Sequence, residues 1–260
     1  MTPRRRRSAT PSSGSPFLHN VHLLPEKADR SRYPFNIPVL SRGLDLTFTG
    51  TVTFFVGENG TGKSTLLEAL AECCGFSPEG GARDHQRAVF ADRSPLAQAL
   101  RLTWRPKVTE GFFMRAESFY NFASYLDDVS DMTRYGGKSF HDQSHGESFI
   151  SLFSHRFEQG IFILDEPEAA LSPQRQLTFL RIIHELASTR QAQFLIATHS
   201  PIILSYPSAV LFSLDGGEIR EIPYRETSHF LITRDFLNSP ERFFKHLFES
   251  ADRDGRDDES

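Results

Sequence analysis

Apolar residues in this chain fall in short blocks whose period switches between two and about 3.6, and each switch marks an element. "FNIPVL" (35–40), "LDLTFT" (44–49) and "TVTFFV" (51–56) predict three strands, with Gly43 and Gly50 as turn residues between them. A Gly-rich turn then opens a helix over "STLLEALAECC" (64–74), and the polar stretch 76–98, with Gly80 and Gly81, reads as loop or short helix. "LRLTW" (100–104) and "GFFMRA" (111–116) predict strands, and "ESFYNFASYLDD" (117–128) a helix with Phe119, Phe122 and Leu126 along one side. After a loop over 129–143, a helix starts near Ser144. Ser144 and Glu147 form a capping box, and Phe149, Ile150, Phe153 and Phe157 follow at helical spacing.

The second half repeats one design. "GIFILDEPE" (160–168) and "QFLIATHSP" (193–201) are buried strands that end on polar residues. Between them "SPQRQLTFLRIIHELAST" (172–189) is a helix with Ser172 at its cap and Pro173 in its first turn. Strand-like "AVLFSL" and "EIREIP" and an aromatic helix around "ERFFKHLFES" complete the chain. Strands alternating with helices predict an α/β fold with a largely parallel sheet, flanked by helices and preceded by an antiparallel β portion. The divisions expected are a basic disordered tail over 1–31, a single domain over 32–250 and an acidic tail over 251–260.

Composition narrows the classes. A formal net charge of −4 gives no global drive toward nucleic acid or anionic lipid, although Arg4 to Arg7 form a short basic run. No apolar stretch reaches the roughly 18–20 residues of a membrane span, and the N-terminus lacks the hydrophobic segment of a secretory signal. The two cysteines, Cys73 and Cys74, are adjacent and build no ordinary disulfide framework. A soluble cytoplasmic protein is expected. The 24 phenylalanines predict a densely packed core.

Three stretches carry chemistry. "GENGTGKST" runs from Gly57 through Glu58, Asn59, Gly60, Thr61, Gly62, Lys63 and Ser64 to Thr65. It matches the P-loop pattern in the strand-to-helix context the motif requires. Successive N–H groups there can curl around a phosphate at a helix N-terminus. Lys63 would neutralise β- and γ-phosphates, and Ser64 would ligate Mg²⁺. "FILDE" delivers Asp165, a second Mg²⁺ ligand, to the end of a buried strand, with Glu166 beside it as general base for an attacking water. His199 ends "FLIAT" as a group able to reach the γ-phosphate, against the blander reading of a turn capped by Ser200. His141 and His145 with Asp142 make a much weaker metal reading, because Gly146 breaks a continuous helix through them.

P-loop, SHGE, LDEPE and THS occur in an order that resembles the ABC-type ATPases. There the Leu-Ser-Gly-Gly-Gln signature leads the Walker B acid by about twenty residues, and here Gly146 leads Asp165 by 19. The switch His of that family follows the acid by some thirty to thirty-five positions, and His199 follows by 34. Laid on the signature, Ser144 matches its Ser, Gly146 its second Gly and Glu147 its Gln, whereas Gln143 and His145 depart from it. The resemblance covers most of 34–215, and extends to small stand-alone bacterial AAA-grouped ATPases related to the SMC/RecF branch. It implies a P-loop NTPase of ABC-like architecture with a small helical lid, the lid and signature region spanning 111–159. It also implies ATP and Mg²⁺, and a nucleotide-dependent homodimer in which Ser144, Gly146 and Glu147 of one subunit cover the nucleotide on the other's P-loop. The family's lid Gln has no clear equivalent; Arg115 or Glu117 occupies its place, and Tyr33 lies at the distance of an adenine-stacking residue.

The first reading is therefore a soluble ATPase with Lys63, Glu166 and His199 as its catalytic groups. The energising subunit of a membrane transporter and a DNA-associated repair or defence ATPase are the alternatives. An apolar face of Phe243, Phe244, Leu247 and Phe248 on the last helix suits core packing better than partner docking.

Overall fold

Two β-sheets and the helices between and around them make up the computed structural model, which describes residues 14–77, 80–81, 93–115, 145–156 and 159–254. In chain order the strands and helices are β1 (Leu18–Leu23), α1 (Pro38–Ser41), β2 (Asp45–Thr47), β3 (Val52–Val56), α2 (Lys63–Cys74), α3 (Pro95–Ala99), β4 (Leu100–Trp104) and β5 (Gly111–Arg115). They continue as α4 (His145–Arg156), β6 (Gly160–Asp165), α5 (Pro173–Ser188), β7 (Ala192–Ala197), α6 (Pro201–Leu204), β8 (Val210–Ser213), β9 (Arg220–Glu221), α7 (Ser228–Asn238) and α8 (Pro240–Asp254). The larger sheet has the order β5-β6-β7-β3-β8-β9, and its first five strands are parallel. β9 runs antiparallel to β8. The smaller sheet, β2-β1-β4, is antiparallel throughout.

The parallel sheet is buried on both faces, as its near-continuous apolar strands require. The two-residue period divides each strand between two cores. Phe55, Phe113, Ile163, Leu195 and Ala197 face the first core, which holds α2 and the small sheet. Phe54, Phe112, Phe162, Leu164, Phe194 and Ile196 face the second, with α4 and α5. Phenylalanines pack in both cores, and in the second they meet ring to ring between α4 and α5. Phe149 and Phe153 stack at 4.7 Å, and Phe179 meets both edge-on at 5.5 and 5.3 Å. Full burial of one such ring contributes about 1.5–3 kcal/mol, so this triad fixes α4 against α5.

Most of the expected elements are present, and three expectations are corrected. "FNIPVL" is not a strand. Pro38 takes the first position of α1, where its missing N–H costs nothing and its fixed φ suits a helix. The stretch read as a tail over 1–31 contains β1, the central strand of the small sheet, so ordered structure begins well before residue 32. The side chain of Gln193, buried in β7, accepts at Oε1 from the Phe17 and Leu18 N–H groups and donates from Nε2 to the Leu18 carbonyl. These three bonds satisfy a polar side chain in the interior and fasten β1 to the parallel sheet. At the other end, α8 runs to Asp254, beyond the expected domain boundary at 250. α7, capped by Thr227, is an element that the apolar pattern does not predict. The helix expected over 117–128, the loop over 129–143, Ser144 and most of the lid lie outside the described residues. No helix among the described residues is long and apolar enough to cross a membrane.

Candidate functional site

Five parallel strands end at one edge of the larger sheet, and each carries a polar group there. β3 leads into Gly57–Ser64, β5 ends on Arg115, β6 on Asp165, β7 leads to His199, and β8 to Asp215. Register makes this convergence: Arg115 pairs with Asp165 across β5 and β6, and Asp165 with Ala197 across β6 and β7.

The loop after β3 folds as its glycines require. Gly57, Gly60 and Gly62 all have positive φ (148°, 81° and 100°), a region that other residues enter only with strain. Lys63 opens α2 and curls back, its ammonium donating to the Gly57 carbonyl at 2.6 Å and the Glu58 carbonyl at 3.0 Å. Burial pulls this ammonium below the usual lysine range, while the carboxylates of Glu166, Asp165, Asp215 and Glu58 hold it up. Asp215 takes the Glu58 N–H at 2.9 Å and is itself held by the Ser213 hydroxyl at 3.2 Å. Tyr33, 67% exposed, places its hydroxyl 3.1 Å from Thr65 Oγ1 at the start of α2.

Beside the loop, the Ser64 hydroxyl donates to Asp165 Oδ1 at 3.2 Å. Burial pushes the Asp165 carboxyl up to about 6; the neighbouring Glu166 and Glu68 charges add to this, and Ser64 and Arg115 oppose it. Arg115 Nη1 pairs with Glu68 at 2.7 Å, and its Nε lies 3.8 Å from Asp165. A hydroxyl and a carboxylate that interior burial leaves short of cationic compensation are the oxygen donors that suit a hard divalent cation. Among the described residues no cluster of three or more His, Cys, Asp or Glu side chains could hold a metal by itself. His141 and Asp142 of the alternative metal reading lie outside those residues.

Glu166 follows in the left-handed region (φ 52°, ψ 51°), rare for a residue with a side chain and concentrated at functional sites. Its Oε1 lies 3.6 Å from His199 Nε2. Glu168, two residues on, belongs to the "LDEPE" motif, which by itself assigns it no role. One of its oxygens accepts the His199 backbone N–H at 2.6 Å and the other the Thr198 hydroxyl at 2.7 Å. On the far side His199 Nδ1 is 2.8 Å from His229 Nε2. Asp215 and His229 escape sequence reasoning because they join the site from distant parts of the chain.

The segment laid on the signature is described only from His145 onward. Ser144 and the His145 side chain lie outside the described residues. Gly146 packs where a side chain would not fit: a Cβ there would sit 2.7 Å from Arg175 Cδ and 2.9 Å from the Ala170 carbonyl. Glu147 pairs with Arg175 at 3.1 Å. Gly146 and Glu147 therefore join the start of α4 to the start of α5 within one chain. Cys73 donates to the Ala97 carbonyl at 3.3 Å, and burial pushes its thiol up to about 11, which disfavours the thiolate.

A nucleotide-phosphate loop next to a strand-end carboxylate pair, on the carboxyl edge of a parallel sheet, defines a P-loop ATPase. Residues 35–103 match a family model described as an AAA domain, and residues 148–204 one described as an AAA ATPase domain. The hemin import ATP-binding protein HmuV of Nocardia farcinica is 29% identical over 224 residues, 78% of this chain and 74% of that protein. The petrobactin import ATP-binding protein FpuD of Bacillus anthracis is 25% identical over 170 residues, 58% of this chain and 62% of that protein. CbiO1 of Clostridium perfringens, part of the ABC transporter complex CbiONQ, superposes with a TM-score of 0.48 at 16% identity, over 89% of this chain and 99% of that one. The chain carries the site of a P-loop ATPase and is similar to the ABC-type ATP-binding proteins.

Proposed function

We propose that this ATPase works as a head-to-tail homodimer. ATP lies between the P-loop of one subunit and the Ser144–Gly146–Glu147 segment of the other. The convergence of Lys63, the Ser64–Asp165 pair, Glu166 and His199 on one sheet edge supports the P-loop half of this reading, and the 19-residue lead of Gly146 over Asp165 supports the partner's half. The N–H groups of Gly57 to Thr65 surround the phosphates, and Lys63 exchanges its two carbonyl partners for phosphate oxygens. Ser64 and Asp165 would hold Mg²⁺, which supplies charge neutralisation at the phosphates when bound. Glu166, in a left-handed backbone position just past the buried strand, accepts the proton of the attacking water. His199 Nε2 faces the same space and donates to the γ-phosphate. Tyr33, whose hydroxyl lies beside Thr65, would stack on the base.

Replacement of Glu166 by Gln tests the assignment. ATP binding should persist while turnover falls by at least about a hundredfold, as for loss of a general base, and an ATP-bound dimer should accumulate on size exclusion. Hydrolysis by Glu166→Gln at the wild-type rate would overturn the role given to Glu166. A second reading, the nucleotide-binding subunit of an importer, is favoured by the similarity to the hemin and petrobactin import ATP-binding proteins. Co-purification with a polytopic membrane protein would select it.

A further inference from the structure

His199 is held at two places by two different residues. Its backbone N–H is fastened to Glu168 at 2.6 Å, which fixes the chain but leaves the ring free to turn. The ring is met by His229, the second residue of α7, with Nδ1 of one 2.8 Å from Nε2 of the other and ring centroids 5.0 Å apart. α7 is anchored there. Thr227 caps it from a buried position, and the Tyr224 hydroxyl just before it donates to the Pro201 carbonyl at 2.9 Å. On the other edge of the His199 ring, Nε2 is shielded from solvent and makes no hydrogen bond among the described residues, with Glu166 Oε1 3.6 Å away.

Two imidazoles sharing one hydrogen bond must divide the roles of donor and acceptor, and the surroundings decide how. If His199 donated from Nδ1, its Nε2 lone pair would point at a carboxylate, acceptor against acceptor. If His229 donates from Nε2, His199 accepts at Nδ1 and carries its own proton on Nε2, toward Glu166 and the catalytic edge. His229 Nδ1 is then an acceptor, and Ser228 Oγ lies 3.5 Å from it. Burial, together with the neighbouring His199 and the Lys63 charge, holds His229 below the usual histidine range against the pull of Glu58 and Asp215. A neutral ring has one N–H to place.

We propose that His229 is a positioning residue for hydrolysis: its Nε2–H donates to His199 Nδ1, which fixes the His199 proton on Nε2 and the ring in the orientation that reaches the γ-phosphate. This rests on the reading of His199 as the phosphate contact. It adds a fixed tautomer, supplied by a residue thirty positions further along the chain. The backbone clamp of Glu168 and the ring clamp of His229 are separate, so their effects can be separated by mutation.

The test uses the full chain with ¹⁵N-labelled imidazoles, with tautomers read from long-range ¹⁵N–¹H correlations at pH 8. In the wild type His199 should carry its proton on Nε2. His229→Phe keeps a ring but has no donor. It should populate the Nδ1–H form of His199 and lower kcat about tenfold, the order expected for one positioning hydrogen bond, with KM for ATP unchanged. His229→Gln, which keeps an N–H donor at similar reach, should restore most of the rate. The proposal is overturned if wild-type His199 is protonated on Nδ1, or if His229→Phe changes neither tautomer nor kcat. Should the Phe variant not fold, the wild-type tautomer and the Gln variant still decide. His199→Ala, assayed alongside, separates the two claims. A wild-type rate there removes the role of His199 itself, whereas an inactive His199→Ala beside a fully active His229→Phe removes only that of His229.

Discussion

Asp165 is a carboxylate held where burial disfavours its charge, and this has a consequence for stability that hydrolysis assays do not see. Its folded value of about 6 lies above the ordinary 3.8, so the folded state binds the proton more tightly than the unfolded chain. The stabilising proton is fully present below pH 4 and lost as pH rises through 6; above that the folded state bears the cost of a buried charge. Asp165→Asn should therefore stabilise the protein in EDTA without nucleotide by about 2–3 kcal/mol at pH 8. The gain should shrink below pH 6 and vanish near pH 4, as followed by thermal unfolding across pH. A gain that did not depend on pH would rule out this origin. At this scale the sequence is informative wherever function needs adjacent residues: the P-loop and the Asp165–Glu166 pair are legible from spacing alone. Asp215, Glu168 and His229 are not, because their roles arise from contacts 157, 31 and 30 positions along the chain. The left-handed backbone of Glu166 leaves no mark in composition either.

Elements are legible where an unbroken apolar run or a single period is undisturbed, as in β3, β6 and β7 on the one hand and α5 on the other. β1 escapes because its ladder to β4 shifts register between Leu18 and Asn20, which breaks the alternation that would have marked it. "FNIPVL" misleads because its apolar content is that of a strand while its proline starts a helix. The glycines opening β5 and β6 show a demand that periodicity cannot express. Gly111 and Gly160 have φ of 144° and 120°, and a Cβ on Gly111 would lie 2.0 Å from the Ile161 carbonyl oxygen. The two strand ends touch backbone to backbone. Gly111→Ala should cost more than about 2 kcal/mol, combining positive-φ strain with a clash that only backbone movement relieves. Gly43 also has positive φ (99°), but a Cβ there would meet nothing within 4 Å, so Gly43→Ala should cost only about 1 kcal/mol. Urea unfolding of both variants measures the difference. Equal costs would mean that the contact with Ile161 is easily relieved.

For the whole molecule the question is whether one chain completes a catalytic site. Within a chain, the P-loop edge is built from β3, β5, β6, β7 and β8, while Gly146 and Glu147 are engaged with Ala170 and Arg175 at the start of α5. Gly146 thus has a packing reason to be glycine that is independent of any signature role, and substitution of Gly146 would not distinguish the two. Ser144 offers a cleaner probe. Ser144→Arg should abolish turnover yet leave ATP affinity of the isolated subunit nearly intact, whereas Lys63→Ala should abolish nucleotide binding. If two sites form head to tail, each using the P-loop of one subunit and Ser144 of the other, the two inactive variants can complement each other. In an equal mixture, random pairing makes half of the dimers mixed, each with one intact site, so roughly a quarter of the wild-type rate should return in a two-fold symmetric assembly. The recovered rate should fall on dilution as pairs dissociate. No recovery at concentrations where the wild type dimerises with ATP would count against the shared site and leave a catalytic centre contained in one chain.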